Sequence, residues 1–127
     1  MYCTVESVKA RFAIDGTDED QRITMIIRQQ SALLDQKLSV LSGADPALAV
    51  ILPIAAEEIC SGEFLLAAAG EIALDGPLDI SVLKLGADPD KLAKRGNELV
   101  TNGWTKLKSW LKSEQSGFFG HFSGVDG

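Results

Sequence analysis

From Ala47 to Ala69 the chain is apolar on nearly every side of the helix it would form, ALAVILPIAA running into EEICSGEFLLAAA. A helix with no broad polar face has little to offer water, so this element is expected to be the most buried one, with other helices packed around it. Its alanines permit those neighbours to come close. Asp45-Pro46 makes a good N-cap and first-turn pair for its start. Pro53 removes a backbone donor and clashes with the preceding turn. The segment therefore reads as a short helix followed by a longer one over about 53–68, or as one kinked helix. Glu57 and Glu58 mark its exposed edge.

The rest of the chain supplies the partners for such an element. A first helix is expected over Val5–Phe12, with Thr4 as N-cap and Val5, Val8 and Phe12 on one side. Ile14-Asp15-Gly16 ends it. Thr17 caps a long second helix, with Asp18, Glu19 and Asp20 in its first turn and Asp20 in the place of the usual capping-box Glu or Gln. Ile23, Ile26, Ile27, Leu34, Leu38 and Leu41 form its apolar stripe, and Ser42-Gly43 closes it. A last helix is expected from Pro89 to Lys112, N-capped by Asp88. Leu92, Gly96, Leu99, Val100, Gly103, Leu107, Trp110 and Leu111 share one stripe, and Lys94, Glu98, Lys108 and Lys112 lie opposite. Gly96 and Gly103 each cost about 1 kcal/mol relative to alanine, which close packing against a neighbouring helix would explain.

The fold class is thus all-α, a small helical bundle with two long amphipathic helices. Residues 70–87 leave two readings open. Asp75-Gly76-Pro77 reads as a turn, and Leu78, Ile80 and Val82 alternate with Asp79 and Ser81, so Ile72 and Leu74 could pair with them in a short β-hairpin at about 72–83. An irregular loop is the alternative. Residues 1–113 make one helical domain and residues 114–127 a flexible C-terminal arm. That arm sets Phe118, Phe119 and Phe122 among glycines and serines. Glycine loses much backbone entropy on ordering, so docking into a partner would have to compensate. A disordered terminus is the plainer alternative.

Charge and chemistry narrow the function classes. The net charge is −6, which argues against a high-affinity duplex-DNA binder, since phosphate neutralisation needs a basic face. The charge is uneven: residues 1–83 carry thirteen acidic and five basic side chains, residues 84–127 five acidic and seven basic. Such asymmetry could draw copies together front to back. No apolar run is long enough for a membrane span, and the N-terminus does not read as a secretory signal. Cys3 and Cys60 read as isolated, reduced, structural thiols, in keeping with synthesis in a cytoplasm.

No catalytic constellation emerges, and no cofactor, so the chain is not expected to be an enzyme. His121 is the one histidine, and it has no visible orienting partner. Glu57 and Glu58 point about 100° apart on a helix and cannot easily grip one atom together. Asp15, Asp18 and Asp20 lack the glycine and glutamate of a calcium loop. Trp104 and Trp110 read as core or subunit contacts sooner than as base-stacking residues. Lys91, Lys94, Lys106, Lys108 and Lys112 read as spread around their helix.

The order of these pieces resembles the small head–tail connectors of tailed phages, most closely the Mu-like group of head-completion adaptors. The likeness spans roughly residues 1–112. It is carried by Met1-Tyr2, Val8 and Arg11-Phe12, by the long helix with Ile27, Ser31 and Leu33-Leu34, and by the segment KRGNELVTNGWTKLKSWL. The chain departs from the usual pattern at Gly70–Gly86 and in its aromatic arm. The resemblance implies a helical subunit of a ring, commonly twelvefold, beneath the portal vertex of the virion. That ring joins portal to tail or stopper and continues the DNA channel without specific DNA binding. It also implies that Phe118, Phe119, His121 and Phe122 engage the portal. The competing expectation is a small helical nucleic-acid-binding regulator with the last helix as reader.

Overall fold

The computed structural model describes residues 2–39, 44–75 and 88–112. They fold into four helices: α1 (Val5–Phe12), α2 (Asp20–Lys37), α3 (Pro46–Asp75) and α4 (Pro89–Lys106), followed by a 3-10 turn over Lys108–Trp110. The architecture is the all-α bundle expected from the sequence, and α3 is its axis.

α3 is one continuous helix, with Pro53 inside it. Asp45 starts it, its Oδ1 accepting from the Ala47 and Leu48 amides at 2.9 and 3.2 Å. α2 runs antiparallel to it: Arg22 near the start of α2 pairs with Glu71 near the end of α3, while Leu34 and Leu38 pack with Leu48 and Leu52. α4 is antiparallel as well, since Gly96 meets Gly62 and Gly103 meets Ala55 and Ile59. The core forms two connected halves. One gathers Val8, Ile23, Ile27, Phe64, Leu92 and Leu99; the other gathers Leu34, Leu48, Leu52, Ile59 and Leu107.

α1 matches its expected bounds. Thr4 and Ser7 exchange side-chain-to-backbone hydrogen bonds in a capping box. Its Phe12 ring lies 5.8 Å from that of Phe64, centroid to centroid. The residues that carried the phage-connector likeness have structural duties: Val8, Ile27, Ser31 and Leu34 are buried, and Arg11 is ion-paired.

Four expectations are corrected. Thr17 does not cap α2; Glu19 is the N-cap and makes no side-chain cap bond. The Asp20 carboxylate is held by Lys9 at 2.8 Å, and the Asp20 amide closes a turn onto the Thr17 carbonyl. α2 stops at Lys37, short of Leu41, and α4 stops at Lys106, short of Lys112. Both helices end so that their chains can pair. Leu38 and Leu111 form an antiparallel bridge, the Ser39 amide donates to the Trp110 carbonyl at 2.7 Å, and the Lys112 amide donates to the Lys37 carbonyl at 2.9 Å. Finally, Ile72 and Leu74 belong to α3, so they are not strand residues. Between Gly70 and Gly76 there is no Gly or Pro, and the helical pattern continues through them. The rest of the expected hairpin, 76–83, lies outside the described residues.

Candidate functional site

Between Asp45 and Glu57 the chain has no charged side chain. The neighbouring helices cover only part of this length of α3, burying Leu48, Leu52, Ala55 and Ala56. Ala47, Val50 and Ile54, spaced three and four apart and hence on one stripe, stay exposed. Val50 is 70% exposed and Ile54 48%. Pro53 beside them is exposed too. α1 leaves this stripe open because its contacts fall further along α3, at Glu57 and Phe64. Single exposed apolar residues are ordinary, whereas a run of them on one uncharged helix face marks a surface for association. The sequence led to the expectation that this element is the most buried one.

Glu57 and Glu58 are not a solvated edge. Their side chains are mostly buried and each has its own cation. Arg11 grips Glu57 with Nε and Nη2 at 2.6 and 2.7 Å, and the Ser61 hydroxyl donates to Glu57 at 2.6 Å. Burial raises the Glu57 carboxyl, and the Arg11 and Ser61 hydrogen bonds outweigh it, leaving Glu57 below its ordinary range. Lys106 Nζ stands 2.7 Å from Glu58 Oε1, an ion pair whose angles fall short of a hydrogen bond. The two carboxylates thus diverge, as adjacent helical positions must, and serve α1 and α4 respectively.

On α4, Lys91, Lys94 and Arg95 are exposed at spacings that place them on one face. They include two of the five lysines read as spread around the helix; Lys108 and Lys112 lie beyond the end of α4. Asp90 and Glu98 are exposed on the same helix and dilute the positive field, and Lys106 is committed to Glu58. Trp104 and Trp110 pack against the core half around Leu107, and Trp110 Nε1 donates to Asp45 Oδ2 at 2.8 Å. Both indoles are half-buried.

At the N-terminus, Tyr2 donates to Asp35, and that hydrogen bond pushes the phenol up to about 12. Cys3 and Cys60 are free thiols, Cys3 partly exposed and Cys60 buried, and Cys3 packs against the core half that contains Cys60. Among the described residues no group of three or more His, Cys, Asp or Glu could hold a metal ion, and no helix is long and apolar enough to cross a membrane. Phe118, Phe119, His121 and Phe122 lie outside the described residues.

No protein-family model, no curated protein and no solved structure matches this chain.

Proposed function

We propose that this chain is a structural subunit of a tailed-phage particle, a head–tail connector that assembles as a ring below the portal and continues the DNA channel. The observation that carries the reading is the uncharged stripe Ala47–Val50–Ile54, left open on an otherwise tightly packed bundle. A closed ring needs two different faces of a subunit to meet. The apolar turns of α3 supply one such face. The acidic balance of residues 1–83 and the slight basic excess after them would help orient neighbours. A net acidic subunit also suits a channel through which DNA slides without adhering. The segment with Phe118, Phe119, His121 and Phe122 is the proposed contact with the portal. Repetition around a ring would offset the weakness of each copy's contact.

The test is light-scattering mass measurement of the purified protein, alone and with its cognate portal protein. The proposal expects a multi-subunit assembly on the portal. It expects Val50→Asp with Ile54→Asp to leave helicity unchanged and to abolish that assembly. Phe118→Ala, Phe119→Ala and Phe122→Ala together should abolish portal attachment. Full assembly by both variants would refute it. A second reading, a small nucleic-acid-binding regulator, is favoured by the Lys91, Lys94 and Arg95 face alone. It requires duplex binding that weakens steeply with salt, and a low-salt gel shift with no retarded band excludes it.

A further inference from the structure

The described chain ends at Lys112, near the start of α3. The Lys112 amide donates to the Lys37 carbonyl at 2.9 Å. Two residues earlier, the Trp110 indole donates at 2.8 Å to Asp45, whose other oxygen caps α3. The open stripe Ala47–Val50–Ile54 lies on the first turns of that same helix. Half-buried Ile51 joins it to the core half on which Trp104 and Trp110 pack. At about 1.5 Å per residue of helix, Val50 and Ile54 stand about 8 and 14 Å along α3 from Asp45. An extended chain covers about 3.3–3.6 Å per residue, so Phe118, six positions past Lys112, reaches up to about 20 Å. The two surfaces also match in charge. Between Asp45 and Glu57 there is no charged side chain, and from Gln115 to Val125 there is no Asp, Glu, Lys or Arg. Covering the stripe with that segment strips no fixed charge of its water, and the three phenylalanine rings gain apolar burial.

We propose that the segment from Gln115 to Val125 docks on the Ala47–Val50–Ile54 stripe of its own subunit, with Phe118, Phe119 and Phe122 supplying the apolar contact. A tether this short holds the segment at an effective concentration on the order of millimolar. Its own stripe is therefore occupied ahead of a neighbour's in dilute solution. The docked segment covers the face through which copies would otherwise meet, so the free subunit stays monomeric. The docking stands without the connector reading; its consequence rests on that reading. A portal that takes up Phe118, Phe119 and Phe122 uncovers the stripe, and contacts between subunits then form on the portal and not in solution.

The experiment is methyl NMR of the full-length protein without portal, joined to sedimentation equilibrium. Nuclear Overhauser contacts are expected from the Val50 and Ile54 methyls to the rings of Phe118, Phe119 or Phe122. Those methyls should be shifted upfield by the rings, the mass should be that of one subunit, and dilution should leave the spectrum unchanged. A mixture of labelled and unlabelled chains should show no such contact between copies. Phe118→Ala with Phe119→Ala and Phe122→Ala should abolish the upfield shifts while the Phe12–Phe64 ring pair keeps its signals. Val50 and Ile54 methyls without contact to those rings, contacts found only between copies, or a free protein that is already multimeric would each overturn the proposal. These wild-type readouts decide the matter even where the variant fails to fold. Failure of the connector reading looks different: the contacts within one subunit are present, and no assembly forms on the portal.

Discussion

Gly62 and Gly96 face each other where α3 and α4 cross, so closely that a Cβ on either would lie 2.6 or 2.8 Å from the other's carbonyl oxygen. The crossing is a contact of backbone on backbone. Rotamer changes cannot relieve a clash there, because one colliding atom belongs to the neighbouring helix itself.

Gly62→Ala and Gly96→Ala are therefore each expected to destabilise the fold by about 1–3 kcal/mol, overpacking outweighing the gain of roughly 1 kcal/mol in helix propensity. Gly70 is the internal control. It lies in the same helix with nothing within 4 Å of an added Cβ, so Gly70→Ala should stabilise by about 0.5–1 kcal/mol. Urea denaturation followed by circular dichroism measures all three. Equal effects at Gly62 and Gly70 would contradict the close approach.

Asp45 does two jobs. Its Oδ1 caps α3 and its Oδ2 accepts from the Trp110 indole at 2.8 Å. The indole hydrogen bond, then the Leu48 amide, hold its carboxyl below the usual range. A carboxyl depressed in the folded state contributes stability that is whole above its unfolded value, about 3.9, and is lost as pH falls through the folded value. Asp45→Ala should thus lower the melting temperature at pH 7 and narrow its gap to wild type as pH falls below about 4. Trp110 emission should shift to the red in the variant. A gap that stays constant with pH would show that the carboxylate charge is not what matters.

Arg11 and Glu57 join the two ends of the sequence's first half through a two-pronged contact. A double-mutant cycle with Arg11→Met and Glu57→Gln should give a coupling of roughly 1 kcal/mol, at the upper end for ion pairs reached by solvent, because the geometry is bidentate. Glu57 is held below its ordinary value, so the coupling should be full at neutral pH and vanish as acid protonates it. Coupling indistinguishable from zero at pH 7 would reduce the pair to packing.

The legible part of this fold was the part governed by helical period. The bounds of α1, the Asp88 and Asp45 caps, the burial of Leu92, Leu99 and Leu107, and the helix-packing role of Gly96 and Gly103 all follow from local spacing and turn chemistry. Helix ends set by distant chain were not legible. Nothing around Leu38 or Leu111 announces that they will pair, because the cause of each break lies some seventy residues away. Lys9 in α1 claims Asp20 in the same manner and removes it from the capping box expected at Thr17. The candidate surface shows the opposite error. The apolar run 47–69 reads as the most buried element, yet Val50 and Ile54 within it are exposed, because burial depends on how many neighbours the rest of the chain can supply.

The backbone pairing of Lys37 and Ser39 with Trp110 and Lys112 also fixes a load path. Tension applied to the chain after Lys112 would first be carried by those antiparallel hydrogen bonds and by the Trp110 indole on Asp45, and would reach the long α4 only after they gave way. A pull on that strand is thereby delivered to the corner where α2 ends and α3 begins, beside the open apolar turns, so the molecule is mechanically braced at one pole.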